Sequence, residues 1–316
     1  MTNHKSIKLL INRSRKPYLT IDKQIELLES RGMNIKNRDY LKYYLERYNY
    51  QNFINGYNDY LFKSDERSSN TYKVGITEKE IINIFNFDRS ISSLILSNIL
   101  DIERQFSSYL NYVICQTLIT KYNDIYCNIF ALDNKGYQDI FSNAFKSVPK
   151  DQWDEVVKTI NDTLKFNWNN NKNDDLVIKY PNEKEIPLWC ICIYWSFGDI
   201  RKILYKYLDS FLFNKFFDKL NNSKINKYEF KKIVKMMNKV RNKCCHNNVV
   251  YNWSYKNIKL FDLVHWIDVF RNKKNKNSSL LEQIKKKIIK YLENDDFNKE
   301  IREIILRKTN YYKYKK

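Results

Sequence analysis

Five glycines and four prolines are very few turn-formers for a chain of 316 residues. Turns draw on glycine for left-handed backbone and on proline for a fixed φ, and sheet-rich folds need many of them. A chain this poor in both is constrained to few, long helices, so the expected fold class is all-α. Hydrophobic residues at 43% and charged residues at 29% place it with globular rather than disordered chains. Its length can bury a core as one large domain or two modest ones. No apolar run approaches the roughly 20 residues of a membrane helix. The most apolar segment, LWCICIYWSF (188–197), reads as a buried helix. The opening MTNHKSIKLLINRSRKPYLT lacks a sustained apolar region, so the expected location is cytoplasmic, with no membrane partner.

Residues 1–17 read as a basic arm ending at Pro17. Thr20 is placed to cap a helix through Glu29 carrying Ile21, Ile25 and Leu28, with Gly32 as its C-cap. A second helix near 38–49 sets Leu41, Tyr44, Leu45 and Tyr48 on one face, before an aromatic turn around Gly56. The polar segment 63–78 is the expected internal boundary. The longest helical pattern runs from Asp88 to about Tyr122, where Ile91, Ile95, Ile99, Ile102, Phe106, Tyr109, Leu110 and Val113 recur mostly at three and four residues. Glu103 and Arg104 interrupt its stripe. There follow a helix over 151–168, a polar loop at 169–175, an apolar helix from Pro187 broken at Gly198, and an amphipathic helix from Ile200 to about Leu220. A helix over 227–246 comes next. From Leu280 a basic amphipathic helix ends in YYKYKK, suited to contacting a nucleic-acid backbone or simply to solvation. The expected division is an N-terminal helical region over 1–78, a helical domain over 79–270, and a basic C-terminal helix and tail over 271–316.

Lys+Arg 56 against Asp+Glu 36 gives a formal charge of +20. An excess that large points to a polyanionic partner, since each cation that meets a phosphate releases a condensed counterion. Aromatics at 16%, with 25 tyrosines, supply rings that stack on bases. The same bias toward Asn, Lys, Ile and Tyr also arises from AT-rich coding. The six cysteines form no C-x-x-C pair, and Cys244, Cys245 and His246 are adjacent, a poor geometry for closing a tetrahedron. No metal site and no cofactor is expected.

The segment KKIVKMMNKVRNKCCHNNVVYNW (231–253) carries the chemistry. At about 100° per residue, Ile233, Val234, Met236, Met237, Val240 and Cys244 make one apolar face. Lys235, Asn238, Lys239, Asn242, Lys243 and His246 lie opposite, with Arg241 at the border. Asn242 and His246 stack at i and i+4, whereas Arg241 lies about 140° from His246. Cleaving RNA without a metal needs a base for the 2′-hydroxyl, a cation for the developing phosphorane charge and an acid for the leaving oxygen. Histidine and arginine suit those tasks. Of three histidines, His4 falls in the arm and His265, inside FDLVHWIDVF (261–270), reads as core, leaving His246 among Arg, Asn and Lys. Arg-x4-His alone also fits a histidine capping a helix end with the arginine paired elsewhere.

RNKCCHNNVVYN resembles the RN-x-x-AHH-x-R-x-YN signature of HEPN-superfamily ribonucleases, specifically the abortive-infection (Abi-D/F-like) family. Other blocks resemble that family in the same order: KPYLTIDKQIELLESRGM (16–33), YLERYNYQNFINGYNDYLF (44–62), FNFDRSISSLILSNILDIERQF (85–106) and IPLWCICIYWSFGDIRKILY (186–205). The resemblance implies a HEPN-type helical bundle with an N-terminal helical extension, RNA cleavage, and a phage-defence or toxin–antitoxin role. It makes Arg241, Asn242 and His246 the catalytic set, with Glu103 as the acidic residue of the facing helix and Arg104 beside it. Lys235, Lys239, Lys243, Asn247 and Tyr251 are the expected RNA contacts. The signature's second His is Asn247 here, its later Arg is Val249, and Asn52 stands where an Arg is common. Expected partners are an RNA substrate and a structured non-coding RNA. A homodimer is also expected, because one chain spreads a single Arg–His pair around its helix while the reaction needs more groups. A non-catalytic module holding a structured RNA is the alternative. A nucleotidyl-transfer role finds no Gly-rich phosphate loop or paired-carboxylate motif.

Overall fold

The computed structural model describes residues 18–62, 71–164, 175–180, 182, 185–220, 225–271, 279–292 and 298–314. The expected arm with His4, most of the 169–175 loop and residues 63–70 of the expected boundary lie outside the described residues. The fold is all-α. Its helices are α1 (Ile21–Ser30), α2 (Arg38–Arg47), α3 (Asn58–Leu61), α4 (Glu78–Tyr122), α5 (Asn134–Phe141), α6 (Trp153–Leu164), α7 (Asp175–Lys179), α8 (Leu188–Ile191), α9 (Phe197–Lys202), α10 (Ser210–Lys219) and α11 (Lys227–Cys245). A hairpin of β1 (Ser254–Tyr255) and β2 (Ile258–Lys259) precedes α12 (Leu260–Phe270), α13 (Leu280–Leu292) and α14 (Lys299–Thr309). No helix among the described residues is long and apolar enough to cross a membrane. The chain divides into two compact units, Met1–Arg89 with Ile289–Ile304, and Ser90–Ile288 with Ile305–Lys316.

In the first unit, Thr20 accepts from the Lys23 N–H to cap α1, as the sequence suggests. The helix ends in a double reversal: Gly32 (φ +88°) donates to Glu29 and Met33 to Leu28. That pair of bonds needs left-handed backbone, which glycine adopts without a Cβ clash. Leu41, Tyr44 and Leu45 are buried from α2, while Tyr48 is 40% exposed. Tyr44, Phe53 and Phe85 pack within 6.2 Å of one another, ring centre to ring centre. The Tyr57 hydroxyl donates to Asp88 at 2.9 Å. Burial first, and then the Asp88 carboxylate, drive that phenol far above its ordinary pKa. Helix α4 starts ten residues before the apolar repeat suggests. The side chains of Thr77 and Glu80 bond each other, and Glu80 takes the Thr77 N–H at 2.8 Å, the carboxylate half of a capping box. Residue 78, the expected end of the N-terminal region, is therefore the first residue of a 45-residue helix.

In the second unit, Ile91, Ile95, Ile99, Ile102, Phe106, Leu110 and Val113 of α4 are all buried. Phe106 lies 5.6–6.1 Å from Phe197 of α9, Phe216 of α10, Phe230 of α11 and Phe270 of α12, so four helices converge on one ring of the long helix. Three expectations are corrected here. The apolar run at 188–197 is not one buried helix: α8 lasts one turn, and a new helix starts at Phe197 from a Ser196–Asp199 capping box. Gly198 thus lies inside a helix rather than breaking one. The segment from Ile200 to Leu220 is also divided, because Asp209 accepts from Phe211 and Leu212 to start α10. Finally, the described residues of the C-terminal region form two helices, which bury Ile284, Ile288 and Ile305 in this unit and Ile301 in the first. Its tyrosine-rich end docks onto Asp262, which takes Lys313 at 2.6 Å and Tyr314 at 2.8 Å.

Glu78 is fully buried and takes the N–H groups of Lys36 and Asn37, both at 2.9 Å. Glu78→Ala orphans both donors and should cost about 2–4 kcal/mol by denaturant unfolding. A loss no larger than that of an ordinary surface substitution would contradict this anchoring.

Candidate functional site

Helix α11 is bounded by chemistry that the sequence carries. Asn226 accepts the Glu229 N–H at 2.9 Å, and the Glu229 carboxylate takes the Asn226 N–H at 3.1 Å. Ile233, Val234, Met236, Met237, Val240 and Cys244 are all buried, matching the apolar face read from the wheel. At the other end His246 is the C-cap, its N–H bonded to the Asn242 carbonyl at 3.0 Å. Asn247 (φ +55°) donates to Cys244 at 3.2 Å and Asn248 to Lys243 at 3.0 Å, the same reversal that ends α1. Asparagine tolerates this left-handed position better than most residues with a Cβ. Asn247 therefore has a backbone reason to stand where the signature has its second histidine. Asn242 and His246 are both exposed.

Arg241 faces the other way, toward α4. Its Nε lies 3.7 Å from Oε2 of Glu103, whose side chain is 9% exposed against 27% for the arginine. Glu103 Oε1 accepts the N–H of Phe197 at the start of α9. One turn along α4, the Ser107 hydroxyl donates to the Cys192 carbonyl. Both hold the 192–197 segment against the long helix, and Trp195 adds a 3.0 Å bond from its indole to the Leu164 carbonyl. Among the described residues neither Glu103 Oε2 nor Arg241 Nε has a hydrogen-bond partner, although both atoms are buried. Their attraction is an ion pair held slightly too far apart to become a hydrogen bond. Burial pushes the Glu103 carboxyl above the usual carboxylate range, and Arg241 and the Phe197 N–H pull it back only in part.

These side chains border a cleft of about 620 Å³ lined by Glu103, Arg104, Ser107, Trp189, Trp195 and Arg241, among others. Arg104 projects into solvent beside Asp101, 3.7 Å away. Trp189 (51% exposed) and Ile193 (74%) stand open at this cleft, which the reading of 188–197 as buried did not anticipate. Periodicity finds an apolar run; it does not reveal that the helix stops after one turn. The structure thus brings Glu103, Arg104 and Arg241 together. Asn242 and His246 are not part of the cleft lining.

The expected RNA contacts divide in two. Lys235 and Lys239 are exposed, and their ammonium groups lie 6.0 and 4.1 Å from the ring centre of Tyr255 on the hairpin. Lys235 first, and then Lys239, hold the Tyr255 hydroxyl below its ordinary pKa. Lys243 is half-buried and Asn247 exposed. Tyr251, by contrast, is fully buried, so its ring offers no face to a base and belongs to the core. Sequence reasoning missed Tyr255, for which a two-residue strand gives almost no signal. It also placed His265 in the core; that ring is exposed on α12, 6.0 Å from Tyr314. The described residues hold no group of three His, Cys, Asp or Glu side chains arranged to bind a metal.

The Glu103 pair makes a pH prediction with a definite sign. A carboxyl whose folded pKa lies above its unfolded value contributes stability in acid that is lost as pH rises through the folded value. Glu103→Gln cannot titrate. Its stability relative to the native chain should therefore improve as pH rises from about 4 upward. Denaturant melts at stepped pH read this directly, and a flat or opposite trend would contradict the burial of the charge.

No curated protein and no solved structure matches the chain significantly. A family model described as Abi-like protein matches residues 43–252, which takes in α4, the capped 196–199 turn and the whole of α11. More than half of the sequence, including every residue of this cleft, falls within that match, and the chain belongs to the Abi-like protein family.

Proposed function

We propose that this protein is a HEPN-type, metal-independent endoribonuclease of an abortive-infection or toxin–antitoxin system, bound and regulated by a structured non-coding RNA. The observation that carries the reading is Arg241, anchored through Nε to a buried carboxylate on the facing helix. An arginine held that way keeps its terminal nitrogens for a phosphate, and fixing it beforehand lowers the cost of ordering it on binding. Membership of the Abi-like family supports the defence role.

The chemistry assigns each residue a task. One imidazole takes the 2′-hydroxyl proton as the oxygen attacks phosphorus. The bond to the 5′-oxygen breaks and that oxygen is protonated, leaving a 2′,3′-cyclic phosphate and a 5′-hydroxyl. Arg241 offsets the charge that develops on the phosphorane, and Asn242, one turn before His246, orients the imidazole or the phosphate. Because Arg241 and His246 project in different directions from α11, the complete site is shared between two chains whose α11 ends meet about a twofold axis. The exposed lysines beside Tyr255 track the RNA backbone. A second reading, a non-catalytic holder of structured RNA, draws on the same separation of His246 from the cleft that holds Arg241.

Incubating the protein with RNA in EDTA tests the first reading against the second. Cleavage should persist, leave cyclic-phosphate and 5′-hydroxyl ends, and vanish in His246→Ala while RNA is still retained. Strict divalent dependence with 5′-phosphate ends, or full cleavage by His246→Ala, would overturn it.

A further inference from the structure

The cleft that holds Arg241 has a direction, set by three anchors along its floor. Glu103 accepts the Phe197 N–H, and the Ser107 hydroxyl donates to the Cys192 carbonyl. Further along, the Leu188 N–H donates to the Cys127 carbonyl at 3.0 Å, and the Cys127 thiol donates to the Cys115 carbonyl at 3.9 Å. The 188–197 segment therefore runs antiparallel to α4, with Phe197 beside Glu103 and Leu188 toward Cys115. On α4 the lining residues Arg104, Ser107 and Asn111 recur at three and four residues and so share one face. From Glu103 to Asn111 the helix rises about 12 Å. Arg241 thus lies at one end of the cleft and Trp189 toward the other.

The two ends differ in chemistry. At the first, two guanidiniums, Arg241 and Arg104, line the cleft, and such forks suit phosphate oxygens. Their counter-charges are the buried Glu103 and the exposed Asp101, 3.7 Å from Arg104, a solvent-screened pair of little strength. At the second end the half-exposed ring of Trp189 lines the cleft, an aromatic face on which any base can stack. The Asn111 carbonyl oxygen accepts the Cys115 thiol at 3.3 Å, which leaves the amide nitrogen of this lining residue as a donor. An apolar peptide would cover Trp189 and leave the guanidiniums without a counterpart. A nucleotide serves both ends.

We propose that the cleft is a subsite for one unpaired nucleotide of RNA, its phosphate on Arg241 and Arg104, its base stacked on Trp189, and an acceptor on the base edge taking the Asn111 amide. Trp189 is then a specificity-determining residue that selects single-stranded RNA, because a base paired in a helix is stacked between its neighbours and cannot reach the ring. The inference rests on reading the chain as a ribonuclease that clamps phosphate with Arg241, and adds where the neighbouring base goes.

The test uses the full-length His246→Ala chain, so that RNA stays intact whether or not the native protein cleaves it. The probe is a short oligouridylate carrying 5-iodouridine, which photocrosslinks to aromatic side chains, with labelled peptides located by mass spectrometry. The label should fall on segment 189–194 and disappear when the probe is annealed to its complement. Adding Trp189→Leu, which keeps apolar bulk without a ring, should weaken probe binding roughly tenfold, the size of one base–aromatic stack. Trp189→Phe, which keeps a ring, should stay within about threefold of the parent. An unchanged melting temperature shows that both variants fold. Label on this segment that Trp189→Leu removes supports the subsite even if the native chain cleaves nothing. Label only elsewhere, equal label from the duplex, or binding undiminished in Trp189→Leu overturns it, even if the native chain cleaves RNA in EDTA.

Discussion

The second unit is organised around a carboxylate in an apolar stripe. Glu103 sits between Ile102 and Phe106 on α4, a carboxylate in a stretch whose other buried polar side chains, Ser92, Asn98 and Ser107, are neutral. Removing such a charge from water costs several kcal/mol unless partners compensate. Here the partners are the first N–H of α9 and the guanidinium of α11. Each is drawn from a different segment, so satisfying one carboxylate fixes the start of one helix and the side chain of another. Phe106, one turn on, meets the same two helices and two more. Apolar packing and charge therefore agree about where α11 lies against α4, and that agreement delivers Arg241 to the cleft.

The compensation is incomplete, and that matters for what Arg241 can do. A short bidentate pair would consume the guanidinium. A single contact at 3.7 Å through Nε, with neither atom hydrogen-bonded among the described residues, anchors the arginine without a bidentate pair. The raised affinity of Glu103 for a proton follows from the same shortfall. At the far end of α11 the constraint is backbone geometry: the helix must reverse, and an asparagine occupies the left-handed residue just after His246.

Much of this was legible in the sequence, for identifiable reasons. The apolar face of α11 and the stripe of α4 are strongly periodic, and both are buried residue for residue apart from the half-buried Tyr109. Gly32 and Thr20 are local signals with local consequences. Two further local signals were present but overlooked: Thr77 with Glu80 starts α4, and Ser196 with Asp199 starts α9. What the pattern could not supply is the identity of whatever covers each face. Tyr251 lies in a polar context yet is buried, His265 lies in an apolar run yet is exposed, and Trp189 opens onto a cleft. The pairing of Glu103 with Arg241 joins residues far apart in sequence, and only the resemblance, not spacing, pointed to it.

The central claim is that one functional site draws Arg241 and His246 from two different chains. Mixing Arg241→Ala protein with His246→Ala protein tests it most directly, after unfolding-free subunit exchange and with RNA cleavage as the readout. The account predicts that two inactive preparations regain activity on mixing, to roughly a quarter of the native level. That follows if half the dimers are mixed and one of the two symmetry-related sites in each is intact. Mixtures that stay inactive despite demonstrated exchange, or a native monomer that cleaves at full rate, would contradict it.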